Sequence, residues 1–323
     1  MIEAGHLLTI DALGRDGMDR ILERAESFAE VGRRDIKKVP TLRGRTVVTL
    51  FYESSTRTSS SFELAAKRLS ADLVSVKSAG SSVDKGESLK DTVATLSAYD
   101  PAAIVIRHPH AGSAQLVAEW SEAAVINAGD GKHEHPSQAL LDLFTLRRRL
   151  DSLDDKRIWI VGDVLHSRVA RSNLIAFRKM GAEVTVCGPP TLIPRGIEDL
   201  GCAVEHSLER LGEADVVYAL RLQQERMQES FIPSIREYAT HFQISSRRLG
   251  PRQLLMHPGP VNRGVELSGD AIDSPQSLIA DQVASGLVVR MAILYELLAA
   301  GGERPAPAES EGTSSPTPIG TPA

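Results

Sequence analysis

Ser55-Thr56-Arg57-Thr58 places three hydroxyls and one guanidinium in four consecutive positions. The run follows an apolar stretch over 46–52 that reads as a buried strand and precedes a helical pattern over 61–69. A strand-to-helix turn gathers free backbone N–H groups and the positive end of the helix dipole. The planar fork of Arg57 matches phosphate oxygens. The turn thus reads as an anion cradle made without a glycine-rich loop. The same residues would also serve as an ordinary serine/threonine N-cap with a surface arginine, and the rest of the chain has to decide between the two.

Four further cations, Lys85, Arg107, Arg168 and Arg221, stand in segments that read as loops, strand ends or helix starts. Any one of them alone would signify only solubility. Together with Arg57 they suit a pair of anionic substrates. Lys85 lies in the serine-rich stretch between Gly80 and Gly86, which reads as a mobile loop able to close over an anion. His135-Pro136-Ser137-Gln138 opens a helix over 136–149 with proline at its first position. There the dipole disfavours protonation of His135, and a neutral imidazole can donate a hydrogen bond to a carbonyl oxygen. His133-Glu134-His135 lacks the His-Glu-x-x-His spacing, so no metal site is expected. The glycine fingerprints of NTPases and dinucleotide dehydrogenases and the nucleophile elbow of α/β-hydrolases do not occur. No covalent nucleophile stands out. The residue set fits positioning and charge stabilisation.

These residues depend on an alternation of strands and helices. Strand-like runs fall at 46–52, 72–76, 103–107 and 124–127, with helical patterns at 16–32, 56–69 and 87–98. After the 136–149 helix the alternation restarts, with runs at 157–162, 183–187, 215–219 and 253–256 and a last helix over 276–300. This predicts an α/β protein of two domains, each a mostly parallel sheet flanked by helices. The expected division is 1–146, completed by a C-terminal helix over 288–300, then 147–287, then a disordered tail over 301–323. In such sheets ligands bind beyond the carboxyl ends of the strands, where Ser55–Thr58, Arg107, Asp163–Arg168, Arg221 and His257–Pro260 all fall.

The chain has 323 residues, enough for two domains. Aromatic residues make up 4%, so the core must rest on Leu, Val, Ile and Ala. A formal net charge of −5 argues against a general nucleic-acid binder. Two cysteines, Cys187 and Cys202, form no disulfide framework. No signal pattern and no apolar run near ~18 residues is present, so a cytoplasmic location without membrane contact is expected.

On these motifs the chain resembles the aspartate and ornithine carbamoyltransferases. The likeness rests on Ser55–Thr58, Lys85–Leu89, Ile106–Pro109, His135–Thr145, Gly162–Arg168, Leu220–Arg226 and Met256–Gly264, and covers about 45–298 in the family's order. His257-Pro258-Gly259-Pro260 occupies the place of the His-Cys-x-Pro motif of the ornithine branch, which favours the aspartate branch. Two arginine forks also suit the two carboxylates of aspartate. A carbamoyltransferase for another amine, such as ornithine, is the alternative.

The resemblance implies transfer of carbamoyl from carbamoyl phosphate to L-aspartate in pyrimidine synthesis, without cofactor or metal. It implies that Ser55, Thr56, Arg57 and Thr58 hold phosphate, that Arg107 contacts phosphate and carbonyl oxygens, and that His135 and Thr58 polarise the carbonyl. Gln138 would hold the carbamoyl amino group, with the backbone of Pro258, Gly259 and Pro260 facing it. Arg168 and Arg221 would grip aspartate, Gln223 orienting Arg221. Ser81 and Lys85 would reach into a neighbour's site, making a homotrimer the minimal active unit and leaving open a larger assembly with regulatory or dihydroorotase chains. The chain departs from the family at Ser54, at Ser59, where many members have arginine, and at Val261, with Arg263 as a candidate replacement for the missing charge.

Overall fold

The computed structural model describes residues 5–77, 86–223 and 231–300. Ser81 and Lys85, residues 224–230 and the 301–323 tail lie outside the described residues.

A long helix, α1 (Ile10–Val31), precedes a first α/β series: β1 (Thr46–Phe51), α2 (Thr56–Arg68), β2 (Asp72–Lys77), α3 (Leu89–Ser97), β3 (Ala103–His108), α4 (Ser113–Trp120) and β4 (Ala124–Asp130). Helix α5 (Pro136–Leu150) leads into a second series: β5 (Arg157–Val161), α6 (Arg168–Lys179), β6 (Glu183–Cys187), β7 (Ala203–Glu205), β8 (Val216–Ala219), α7 (Ile235–Phe242), β9 (Leu254–Met256), α8 (Gly269–Ile272) and α9 (Ile279–Tyr295). The first sheet has the order β2-β1-β3-β4 and the second β7-β6-β5-β8-β9, and every pairing is parallel. This is the expected fold class.

Val47–Phe51 and Ile158–Val161 are buried along their lengths, as central strands covered on both faces must be. The outer face of the first sheet packs Val48, Leu50, Ile104 and Ile106 against Val93 and Val117. The second sheet's outer face packs Trp159, Val161 and Val217 against Phe242. The inner faces share one apolar cluster, running from Ile126 and Val47 through Leu140, Phe144 and Ile293 to Ile160 and Tyr218. Few aromatics contribute, as the composition requires.

Two helix boundaries differ from the sequence expectation. The first helix starts at Ile10 rather than 16, with Thr9 capping the Ala12 N–H across 3.2 Å. Gly14, at φ 64°, breaks its regular backbone, which interrupts the periodicity that would have revealed the start. The last helix starts at Ile279 because Gln276 and Ser277 are held beside β9, the Gln276 carbonyl accepting the Leu255 N–H at 2.9 Å. The stretch Ile279–Ala300 has a mean hydropathy of 1.7, apolar enough by composition to cross a membrane. Here it is a core helix, packed on α1, α2 and α5.

Candidate active site

Each sheet has a point where the chain leaves strands to opposite sides. In the first sheet this lies between β1 and β3, in the second between β5 and β8. Ligand sites of open α/β sheets form at such points. Glu53 and Ser55 follow β1, Arg107 lies within β3 near its end, Asp163 to Arg168 follow β5 and Arg221 follows β8. Of the sequence-predicted residues, Ser55–Thr58, Arg107, Arg168 and Arg221 therefore lie at the two switch points.

Ser55 is the N-cap of α2, but its side chain makes no capping hydrogen bond. Thr9, Ser88, Ser167, Ser234 and Ser268 all use their hydroxyls to cap the helices they precede. Ser55 is the one hydroxyl N-cap among the described α-helices that does not. The plain capping alternative thus fails at Ser55, while the unspent N-terminus and Arg57 keep the properties of an anion site. Thr58 is buried in the first turn. The guanidinium of Arg57 rests on Gly259, where a Cβ would come within 2.7 Å of Cζ. Gly259 sits at φ 63° beside the cis bond to Pro260, so the His257–Pro260 loop meets the cradle directly. Burial, and then Arg221, pull the Arg57 pKa down. Arg57 and Arg221 thus sense each other across the two sheets.

Arg107 and Arg168 meet at Glu53. Arg107 Nε lies 3.3 Å from Glu53 Oε2, and Arg168 Nη2 donates to the same oxygen. Arg168, the first residue of α6, is buried against Gly129, where a Cβ would lie 2.9 Å from Nη1. His135 is the N-cap of α5, also without a side-chain cap, and its N–H donates to Ser172 Oγ at 2.8 Å. Complete burial, then Arg107, Arg290 and Arg168, hold the His135 pKa well below the ordinary histidine value. The sequence predicts a neutral imidazole from the helix dipole; in the structure burial and three cations are what disfavour its protonation. Glu53 and Arg290 were not among the expected residues. Glu53 carries a carboxylate into the turn between β1 and the cradle. Arg290 sits buried in α9 with its guanidinium 5.1 Å from the centre of the Phe62 ring.

In the second sheet Asp163 is wholly buried and organises the loops. Its Oδ1 is 2.8 Å from His166 Nδ1, and its Oδ2 accepts the Gln223 N–H at 3.1 Å. This ties the turn after β5 to the segment carrying Arg221 and Gln223. Gln138, on the inner face of α5, donates from Nε2 to Asp142 Oδ1 at 3.1 Å.

Ser172 links Glu134 and His135, its hydroxyl accepting the His135 N–H and donating to Glu134 Oε2 at 3.2 Å. His133 pairs with Asp130 at 3.0 Å and Glu134 accepts the Ile10 N–H at 2.8 Å. Ser59 donates to Glu63 Oε1 at 3.0 Å. Arg263 is exposed and paired with Asp273 at 3.2 Å.

Residues 5–148 match the aspartate/ornithine carbamoyltransferase carbamoyl-P binding domain, and residues 154–297 match the Asp/Orn binding domain of the same family. The aspartate carbamoyltransferase catalytic subunit of Pelotomaculum thermopropionicum is 57% identical over 88% of this chain and 93% of its own length. That of Acidothermus cellulolyticus is 53% identical over 93% of this chain and 94% of its own. Among solved structures, aspartate transcarbamoylase from Trypanosoma cruzi in complex with N-(phosphonacetyl)-L-aspartic acid superposes with a TM-score of 0.83 at 30% identity, covering 92% of this chain and 97% of that one. The catalytic subunit of M. jannaschii aspartate transcarbamoylase gives 0.82 at 35% identity, covering 93% and 100%.

Proposed function

The chain belongs to the aspartate/ornithine carbamoyltransferase family, and from that premise we propose how its residues carry out the reaction. It transfers the carbamoyl group of carbamoyl phosphate to the amine of L-aspartate, giving N-carbamoyl-L-aspartate and phosphate. The amine nitrogen forms its bond to the carbonyl carbon, and the carbon–oxygen bond to phosphate breaks. The leaving phosphate takes that electron pair and accepts the amine's proton.

Ser55, Thr56, Arg57 and Thr58 hold the phosphate at the N-terminus of α2. Arg107 spans phosphate and carbonyl oxygens, and the neutral imidazole of His135, with Thr58, donates to the carbonyl oxygen as charge builds on it. Gln138 and the backbone of Pro258, Gly259 and Pro260 face the carbamoyl amino group. Arg168 and Arg221 take the two aspartate carboxylates, with Gln223 beside Arg221. Residues 1–146 and 288–300 make the carbamoyl-phosphate domain and 147–287 the aspartate domain. In this reading the product enters pyrimidine synthesis, and the enzyme acts in the cytoplasm.

The observation that carries this reading is the meeting of Arg107 and Arg168 at Glu53 beside a neutral His135, with Arg57 seated on the Gly259 loop and facing Arg221. Incubation of purified protein with carbamoyl phosphate and either amino acid tests it. Aspartate should be carbamoylated and ornithine left essentially untouched, and a preference for ornithine would overturn the assignment.

The active unit in this reading is a homotrimer in which Ser81 and Lys85 enter a neighbour's site. Lys85→Ala and Arg57→Ala, each inactive alone, should regain roughly a quarter of normal sites when dissociated, mixed in equal amounts and reassembled, by the counting of heterologous ring interfaces. Verified hybrids that stay inactive would exclude a shared site.

A further inference from the structure

Asp142 is wholly buried on α5, one turn after Gln138. Its Oδ1 accepts from Gln138 Nε2 at 3.1 Å and from Gln282 Nε2 at 2.7 Å. Its Oδ2 accepts from Asn173 Nδ2 at 2.9 Å and from the Tyr218 hydroxyl at 2.7 Å. The donors come from α5, α9, α6 and β8, so one carboxylate ties both sheets' helices together. Four donors match the four lone-pair sites of an ionised carboxylate. Burial pushes the carboxyl up to about 6, while these hydrogen bonds hold it down, so at neutral pH it is the ionised acceptor that the geometry requires.

A carboxylate accepts only, and an amide has one donor end and one acceptor end. Each glutamine that gives its NH₂ to Asp142 is therefore fixed with its oxygen turned away. Gln282 shows the result, since its Oε1 accepts the His257 N–H at 2.9 Å. No described residue donates to the corresponding oxygen of Gln138. In the reading given above, on which this inference rests, the carbamoyl NH₂ is the donor that it meets. We propose that Asp142 is a positioning residue: it locks the Gln138 amide with its oxygen toward the carbamoyl amino group. Asp142 itself touches no substrate.

Asp142→Asn keeps the volume but turns one acceptor oxygen into a donor, so two of the four partners lose their acceptor and the Gln138 amide is free to turn over. Steady-state kinetics on the assembled enzyme should show kcat reduced on the order of 30-fold with the KM for aspartate within about twofold. In a Gln138→Ala background the same substitution should change kcat less than about twofold, because the group being positioned is gone. An unchanged kcat in Asp142→Asn, or an equal loss in both backgrounds, overturns the assignment. Should Asp142→Asn fail to fold, Tyr218→Phe, which removes one donor and leaves Gln138 intact, carries the same test. A loss of about threefold in kcat that disappears with Gln138→Ala supports the proposal. No loss, or one independent of Gln138, refutes it. A wild-type protein that does not carbamoylate aspartate would overturn the functional reading itself. An active wild type with additive losses would overturn only the role of Asp142.

Discussion

Two serines precede helices at the two switch points, and they behave differently. Ser167 accepts the Ala170 N–H at 3.1 Å and closes the N-terminus of α6. Ser55 makes no such bond, and the N-terminus of α2 stays open. The second sheet instead sends out arginine side chains, Arg168 from the start of α6 and Arg221 after β8. One architecture therefore offers anions two kinds of site. The first sheet presents main-chain N–H groups, fixed in place and suited to a compact phosphate. The second presents long planar forks, suited to carboxylates held apart by a carbon chain.

The strongest way to break this comparison is to remove the one side chain that belongs to the open cradle and also touches the opposite loop. Arg57→Ala should lower kcat by about 10²–10³-fold or more, as for a lost oxyanion donor, with an unchanged melting temperature. Near-normal turnover in the folded variant would remove the phosphate role from the cradle.

Arg221→Ala should act on the other substrate. A lost charge-assisted bond of about 1.5–3 kcal/mol corresponds to an aspartate KM raised on the order of 10- to 100-fold, with carbamoyl phosphate affinity little changed. A matching loss for carbamoyl phosphate would show that the two sites do not divide the substrates as stated.

The serine pair gives a finer contrast. Ser167→Ala should cost about 1 kcal/mol of unfolding free energy, the usual value of a lost cap. Ser55→Ala should leave stability within about 0.5 kcal/mol and weaken carbamoyl phosphate binding several-fold. Denaturant titration and substrate binding on both variants decide it. Equal destabilisation would mean that Ser55 caps after all.

The smallest expected change is an absence of titration. With its pKa depressed by burial and then by Arg107, Arg290 and Arg168, His135 should stay neutral as the pH falls from 8 through the ordinary histidine midpoint of about 6.5. Its ring signals in NMR should not move over that range. Below the unfolded-state pKa the unfolded chain binds a proton that the native chain refuses. The corresponding stability is full above that value and is lost as the pH falls further. A ring that titrates near 6.5 would contradict this.

Much of this was legible in the sequence because it is local. The strand-turn-helix around Ser55 and the proline that starts α5 are set by neighbours, and the alternating pattern located both sheets. What escaped depends on distance along the chain. Glu53 meets Arg168 across 115 positions and Gln282 meets Asp142 across 140. No periodicity encodes such partners. Asp142 did leave a trace, a carboxylate four residues after Gln138 in a helix otherwise buried, and an ionisable group there asks for partners. Arg290 left a similar one in the apolar α9. Both lie inside helices rather than at strand ends, so their place along the chain does not mark them as part of a ligand site.

The helix that closes the chain also closes its beginning. Helix α9 lies against α1, α2 and α5, so the core under the first sheet includes residues from both ends of the sequence. During synthesis, which delivers the amino-terminal part first, that surface has no final cover until the last described helix has left the ribosome. All nine described strands are therefore translated before the helix that covers the inner side of the first sheet, and α2, which carries the cradle, gains its α9 neighbour late.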